Sequence, residues 1–204
     1  MTPLAIIAKE AGFEVTGSDI GDEFITDPAL KKAGISVLPG FKVENIKNPD
    51  MVIITGAHGG YDNIEAKTAK ENGINLITQG EAVGIFMAGS IFKRDFIGVS
   101  VAGTHGKTTT SAIIATILKE NKLDPSFVIG TGDVGSLGAR GHFGTGKYFV
   151  DEADEYATEP RYNKKPKLLW QIPRIGVITN IEFDHPDVVE SLDELGLQAQ
   201  NLLE

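Results

Sequence analysis

The segment Gly-Thr-His-Gly-Lys-Thr-Thr at residues 103–109 limits the possible folds of this chain more than any other part of it. An apolar run at 96–102 precedes it and predicts a buried strand, and the pattern after it predicts a helix over 108–120. Phosphate oxygens need converging backbone N–H donors, glycines that allow close approach, and a helix start whose dipole favours negative charge. The segment therefore predicts a strand–loop–helix unit that binds nucleotide phosphates, with ATP as the favoured ligand.

Two side chains of this loop have specific expected roles. Lys107 would reach the outer phosphates and neutralise charge in the transition state, and the Thr108 hydroxyl would hold Mg2+. The general motif has a glycine five residues before Gly106, where this chain has Val101, so the loop belongs to a shortened subclass. We assign ATP binding to Gly103, Thr104, His105, Gly106, Lys107, Thr108 and Thr109. The helix offers Ile113, Ile114, Ile117 and Leu118 for packing.

Two other predicted strands end in polar residues. Tyr148-Phe149-Val150 leads into Glu-Ala-Asp-Glu at 152–155, and a strand at 175–180 leads into the segment Thr-Asn-Ile-Glu-Phe-Asp-His at 179–185. Parallel sheets bind ligands at this carboxyl edge, so three strand ends converge on one site. From the residues alone, 152–155 is equally well a solvated acidic turn. A lone histidine is more often not a ligand, since Mg2+ prefers oxygen, but the Asp-His pair at the end of a third core strand raises His185 to even odds.

The first half of the chain alternates short helices and strands. Helices are predicted at 4–11, 28–33 and 63–71, and strands at 13–18, 35–38, 51–55 and 75–78, the first of which delivers Asp19 to its tip. This order predicts a parallel sheet with helices on its faces. A polar turn at 92–95 suggests two domains, 1–92 and 93–204. The glycine-dense stretch 130–146 is interpreted as a flexible connection rather than a second nucleotide loop.

Composition excludes several classes of function. The chain has 204 residues, 41% hydrophobic, which is enough for a sizeable core. Its 19 basic and 28 acidic residues give a net charge of -9, and the basic ones are scattered, so nucleic acid is not an expected partner. Absence of cysteine removes disulfides and thiolate chemistry. Neither a signal peptide nor a membrane span is predicted, and we expect a soluble, cytoplasmic protein.

The three motifs at 103–109, 152–155 and 179–185 resemble, in order and spacing, those of the Mur ligases, the ATP-dependent amide-bond-forming enzymes of peptidoglycan precursor synthesis. Histidine at position 105 is typical of the UDP-N-acetylmuramate:L-alanine ligase branch and of its relative that recycles murein tripeptide; the alanine branch is preferred. The resemblance implies an α/β fold of two parallel-sheet domains. Residues 1–92 would be a Rossmann-like UDP-sugar-binding domain and 93–204 a P-loop ATPase domain, both incomplete.

The resemblance also implies a two-step reaction. The muramoyl carboxylate attacks the γ-phosphate of ATP to give an acyl phosphate and ADP, and the amine of L-alanine then displaces phosphate. By the same resemblance, Thr108 and Glu152 would ligate one Mg2+ and His185 would help place a second, so that Lys107, Glu152 and His185 are the catalytic set. Asp19 and His105 would contact UDP-N-acetylmuramate. The expected partners are ATP, UDP-N-acetylmuramate and L-alanine, and the oligomeric state is not indicated.

The family has a first strand and glycine-rich loop ahead of Met1, and further domains beyond Glu204. We therefore expect a fragment whose first sheet lacks its innermost strand, and which alone binds nucleotide weakly without completing ligation. Three alternatives remain. The first is that the chain belongs to the murein tripeptide recycling ligase, and the second is that it is a nucleotide- or UDP-sugar-binding module without catalysis. An unrelated P-loop kinase would leave Asp184 and His185 unexplained.

Overall fold

The structure is a computed structural model that describes residues 1–130 and 134–182, together with 193, 196, 197, 200 and 201. The first half contains α1 (Thr2–Glu10), β1 (Thr16–Asp19), α2 (Asp27–Lys32), β2 (Ser36–Pro39), β3 (Met51–Ile54), α3 (Ile64–Glu71), β4 (Asn75–Thr78) and α4 (Gln79–Ala88). The second half contains β5 (Ile97–Ala102), α5 (Lys107–Glu120), β6 (Ser126–Val128), β7 (Gly141–His142), β8 (Tyr148–Glu152), β9 (Ala157–Glu159), β10 (Asn163–Pro166) and β11 (Ile175–Ile178). The predicted α/β class with parallel strands is confirmed.

The strands of the first half pair in parallel, but in two separate sheets. β1 pairs with β2 and β3 pairs with β4, and within residues 1–92, all of them described, no hydrogen-bonded ladder joins the two pairs. Each predicted helix and strand of this half is found within a few residues of its expected bounds. Most residues of β1, β2 and β3 are exposed or only partly buried, so these strands do not form a sealed core.

The second half contains a five-stranded sheet in the order β11-β5-β8-β6-β7. All neighbours are parallel except β6 and β7. The strands β5, β6 and β8 are almost wholly buried, as their apolar sequences require. Because β11, β5 and β8 are parallel, their carboxyl ends meet at one edge of the sheet, where three polar segments were expected to converge.

Three short strands were not predicted from the sequence. β7 has only two residues and lies in the glycine-dense stretch, while β9 and β10 form an antiparallel pair too short and too polar to show alternation. The glycine-dense stretch does connect strands, β6 to β8, as interpreted. Gly144 and Gly146 are among the glycines that close approach requires, because a Cβ would lie 2.1 Å from Asp124 O at Gly144 and 1.7 Å from Leu123 O at Gly146.

Hydrophobic clusters cover both faces of the larger sheet. On one face, residues of α1 and α4, including Ile7 and Phe86, pack with Phe96 and Phe149 in a cluster that joins the two halves of the sequence. On the other face, α5 packs through Ala115, Ile114 and Leu118. Two expected packing residues were assigned wrongly, since Ile113 and Ile117 are 53% and 56% exposed. The helix is rotated so that the stripe containing 111, 115 and 118 faces the sheet.

The polar segment at 92–95 is a turn in which Arg94 anchors the glycine-dense stretch. Its guanidinium donates to Gly144 O (2.5 Å) and Thr145 O (2.8 Å), and lies 4.5 Å from the centre of the Phe96 ring. A domain boundary at this turn stays a prediction. Within the described part of the chain, none of the helices has the length and apolar character needed to cross a membrane.

Candidate functional site

The loop at 103–106 joins β5 to α5, as the sequence predicted. Gly106 is the N-cap residue of α5 with φ +81°, and Gly103 has φ +128°. A Cβ on Gly103 would lie 2.2 Å from Thr179 Oγ1, so only glycine fits there. Val101 is fully buried in β5 and pairs with Glu152 on one side and Val177 on the other. The glycine missing from the general motif is thus replaced by one more residue of core strand.

The segment after β11 fixes the shape of this loop. The backbone N–H of His105 donates to Asn180 Oδ1 (2.9 Å), and Thr179 Oγ1 donates to the carbonyl of His105 (2.6 Å). Thr104 N donates to Asn180 O (3.2 Å), and Thr104 Oγ1 contacts the backbone of Glu182. The sequence placed this segment at the site, but it did not assign Thr179 and Asn180 the task of holding the loop. Their position directly after a buried strand was the available indication.

Lys107 lies at the first turn of α5, where its side chain folds back over the loop. Its Nζ donates to Gly103 O (2.7 Å), more weakly to Thr104 O (3.4 Å), and to Glu155 Oε2 (2.9 Å). The Lys107 side chain is 15% exposed and that of Glu155 is 6% exposed, so this ion pair is shielded from water. Glu155 belongs to the acidic motif, but no sequence pattern distinguishes it from the other acids there.

Glu152 lies at the end of β8, beside the start of α5. The Thr108 hydroxyl and the Gly130 backbone hydrogen-bond its carboxylate, yet burial is the largest effect and raises the pKa of Glu152. A Cβ on Gly130 would lie 1.9 Å from Glu152 Oε1, so Gly130 is needed to admit the carboxylate. Glu152 Oε2 is buried and makes no well-formed hydrogen bond with any described residue.

Thr108 and Glu152 fit a bound Mg2+. A carboxylate oxygen lacking a donor, beside a hydroxyl, is the hard oxygen set that Mg2+ prefers, and Mg2+ keeps several waters besides. Within 1–130, 134–182 and the few other described residues, no group of three or more His, Asp or Glu side chains could hold a metal. Thr108 and Glu152 would therefore be two protein ligands in a shell otherwise completed by phosphate and water.

Asp151 precedes Glu152 in β8, and the alternation of the strand turns its side chain to the opposite face of the sheet. Burial raises its pKa well above the usual value for a carboxyl. Gln171 Nε2 donates to its carboxyl group, and Gln171 in turn accepts from Ser100 Oγ on the neighbouring strand. This buried network fixes β8 against β5 beneath the candidate site.

The remaining predicted residues lie in different places. Asp19, at the tip of β1, has Oδ1 3.6 Å from Nε2 of His58, and the His58 ring stacks against Phe41 at 5.5 Å between centres. His105 is more than half exposed at the loop, with Nε2 3.9 Å from Glu182 Oε2. Asp184 and His185 lie outside the described residues. His58 and Phe41 were not predicted, since they come from separate loops.

Comparison with known families identifies similarity over nearly the whole chain. Residues 1–90 match the model described as "Mur ligase family, catalytic domain", and residues 101–204 match the "Mur ligase middle domain". The UDP-N-acetylmuramate–L-alanine ligase of Desulfitobacterium hafniense is 38% identical over 196 residues, and that of Streptococcus sanguinis is 39% identical over 197 residues. These alignments cover 96% of this chain and 40% and 39% of the two relatives, so the chain spans about 40% of their length.

Solved structures give the same result for the fold. A UDP-N-acetylmuramate:L-alanyl-γ-D-glutamyl-meso-diaminopimelate ligase from Neisseria meningitides has a TM-score of 0.80 at 30% identity, covering 99% of this chain and 63% of that one. A UDP-N-acetylmuramate-alanine ligase from Thermotoga maritima has a TM-score of 0.79 at 26% identity, covering 99% of this chain and 44% of that one.

Proposed function

The chain belongs to the Mur ligase family, and from this premise we propose that it serves the ATP-dependent joining of L-alanine to UDP-N-acetylmuramate. In this proposal the loop at 103–109 binds the phosphates of ATP. Several curated relatives are named UDP-N-acetylmuramate–L-alanine ligases, which supports alanine as the second substrate. The tripeptide ligase and the alanine ligase among the solved structures have almost equal TM-scores, so the fold does not separate these two substrates.

One observation supports the nucleotide site most directly. The Thr108 hydroxyl and the Glu152 carboxylate, with its unsatisfied oxygen, lie together at the N-terminus of α5, beside the Lys107 side chain. A purely structural role does not explain why one oxygen of a buried carboxylate lacks a donor, since such an atom is costly to bury. A divalent cation that bridges it to phosphate oxygens accounts for the arrangement.

The proposed chemistry joins two anions and so depends on positive charge. A muramoyl carboxylate oxygen bonds to the γ-phosphorus of ATP as the bond to the bridging oxygen of ADP breaks. The alanine nitrogen then bonds to the acyl carbon, phosphate departs with the electron pair of its C–O bond, and the nitrogen loses a proton to solvent. Mg2+ on Thr108 and Glu152 would neutralise phosphate charge. The Lys107 ammonium and the N-terminal N–H groups of α5 would stabilise the phosphoryl oxygens in line.

We further propose that residues 1–92 bind the UDP-sugar and that residues 93–204 begin the ATP-binding domain. Asp19 at the carboxyl end of β1 is the proposed contact for UDP-N-acetylmuramate, and its partner His58 extends that surface. His105, exposed at the mouth of the phosphate loop, is a second proposed contact. His185 is proposed to place a second Mg2+, and the protein is proposed to act in the cytoplasm.

Calorimetric titration of the chain with each substrate tests the proposal. With Mg2+ present, Lys107→Ala should weaken ATP binding by about a hundredfold, because it removes the cation at the outer phosphates, while UDP-N-acetylmuramate binding stays within about twofold. Asp19→Ala should do the reverse, weakening UDP-N-acetylmuramate binding about tenfold and leaving ATP unchanged. ATP binding that survives Lys107→Ala would contradict the assignment of the phosphate loop.

A further inference from the structure

The Lys107 ammonium group has no proton left for a ligand in this structure. An ammonium has three donors, and those of Lys107 are directed to Gly103 O, Thr104 O and Glu155 Oε2. Two of these acceptors are neutral carbonyls of the loop itself, and the third is a carboxylate. A phosphate oxygen that approaches Lys107 must therefore replace a partner that is already present.

Glu155 is the partner that an incoming anion would displace. It is the only carboxylate in direct contact with Lys107 in the described part of the chain, and the pair is almost fully shielded from water. The neighbouring acid Asp154 is paired differently, with Lys167 Nζ at 3.0 Å. Charge-assisted hydrogen bonds in shielded positions are strong, so breaking this contact has a substantial cost for any phosphate ligand.

The segment that carries Glu155 is well anchored. Ala153 N donates to Val101 O (2.8 Å), and Leu168 N donates to Asp154 O (2.9 Å), which ties the turn after β8 to β5 and to the 167–170 turn. The backbone that carries Glu155 is therefore fixed, and an exchange of partners at Lys107 is a change of side-chain contacts.

We propose that Glu155 is a counter-ion that holds Lys107 against the phosphate loop and sets the threshold for phosphate binding. This inference rests on the proposed nucleotide site. A ligand must exchange the Glu155–Lys107 contact for a phosphate–Lys107 contact. Because one anion replaces another, this exchange adds little to the binding free energy. Ligands that also engage the N–H groups of the loop and a divalent cation overcome this threshold, whereas small phosphate anions bind only weakly. Glu155 is thus a positioning residue that selects Mg2+-bound nucleoside polyphosphates.

Binding of ATP and of inorganic pyrophosphate without divalent cations tests the proposal, with unmodified chain and Glu155→Gln compared by calorimetry. The glutamine keeps the size of the side chain and removes its charge. Both ligands should bind about tenfold tighter to the variant, because the opposing charge-assisted bond is gone. UDP-N-acetylmuramate, proposed to bind in the other half, should bind within about twofold of the unmodified chain.

Two control variants separate charge from packing. Asp154→Asn removes a charge from the same turn without touching Lys107, and should leave ATP and pyrophosphate binding within about twofold. Glu155→Asp keeps the charge and should stay within about threefold of the unmodified chain. If Glu155→Gln does not fold, the 15N ammonium resonance of Lys107 in the unmodified chain supplies the test. It should shift when pyrophosphate saturates the protein, and an unchanged resonance would overturn the proposal.

The outcomes also distinguish this inference from the proposed function. Equal or weaker ligand binding to Glu155→Gln, with normal ATP binding by the unmodified chain, would overturn the counter-ion role and leave the nucleotide site intact. A tenfold gain with Glu155→Asp as well would assign the effect to packing and would also overturn it. Absence of ATP binding to every variant, even with Mg2+, would overturn the proposed function and the inference with it.

Discussion

The two halves of the chain hold their candidate binding residues by different means. In the second half, β5, β8 and β11 are hydrogen-bonded neighbours in one sheet, so Val101, Glu152 and Val177 lie in register and the loops that follow them meet. In the first half, β1–β2 and β3–β4 are separate pairs. There, side-chain hydrogen bonds keep the strand ends together instead.

Glu65 is the main connection in the first half. Its carboxylate accepts from Asn45 Nδ2 (2.6 Å), from Lys42 N (3.1 Å) and from the Ser18 hydroxyl, which joins the start of α3 to the tip of β1. A backbone ladder distributes stability over many bonds, whereas here a single side chain carries several. The comparison predicts that a single substitution can weaken the link between β1 and α3 more easily than the sheet that carries the phosphate loop.

The largest expected effect comes from Gly103→Ala in the second half, where the backbone ladder of one sheet supports the loop. The added Cβ would lie 2.2 Å from Thr179 Oγ1 and 2.8 Å from Asn180 O, at φ +128°. Overpacking and backbone strain together should destabilise the chain by about 3 kcal/mol, and the displaced loop should bind ATP about a hundredfold more weakly. Chemical denaturation and calorimetry measure the two effects.

Gly106→Ala is the matched variant, because Gly106 shares the positive φ but has open space, with its nearest contact at 4.0 Å. It should cost only about 1 kcal/mol of stability. Equal destabilisation by the two alanines would show that the 179–180 segment does not support the loop.

A smaller effect is expected from Glu65→Ala, which removes the side-chain connection between β1 and α3 in the first half. Several donors would lose their acceptor, so the region around β1 and α3 should lose about 2 kcal/mol of local stability. Hydrogen exchange should accelerate there and remain slow in β5 and β8. The control is Glu71→Ala on the exposed end of the same helix, which should change stability by less than about 0.5 kcal/mol. Faster exchange in β5 would show that the halves do not separate as described.

The sequence predicted much of the second half because the order of strand, loop and helix follows from local sequence features. An apolar strand, two glycines and a helix start define the loop, and in the structure Lys107, Thr108 and Glu152 lie together at the start of α5. The pairing of Lys107 with Glu155 depends on how β8 lies beside β5, which is a question of strand order rather than of local pattern. For the same reason the roles of Thr179 and Asn180 emerged only from the folded chain.

Prediction from the sequence was weaker for the Asp19 surface, because side chains from separate loops form it rather than the ends of paired strands. His58 and Phe41 lie beside Asp19 but come from two separate loops. His58 has φ +53°, a backbone conformation that the local sequence does not predict. The short pair β9 and β10 depends on contacts with distant residues rather than on local sequence. Gly56 N donates to Thr158 O in β9, and Gly80 N donates to Thr158 Oγ1. The exposure of Ile113 and Ile117 reflects a helix rotation that apolar content alone does not fix.

The central claim is that Thr108 and Glu152 hold a divalent cation against the phosphates of ATP. Calorimetric titration of ATP into the unmodified chain and into Glu152→Gln, each with Mg2+ and with chelator, tests it directly. Mg2+ should tighten ATP binding at least about tenfold in the unmodified chain and should have almost no effect in the variant, whose amide is a poor ligand for Mg2+. The same Mg2+-dependent gain in both proteins would contradict the assignment of Glu152.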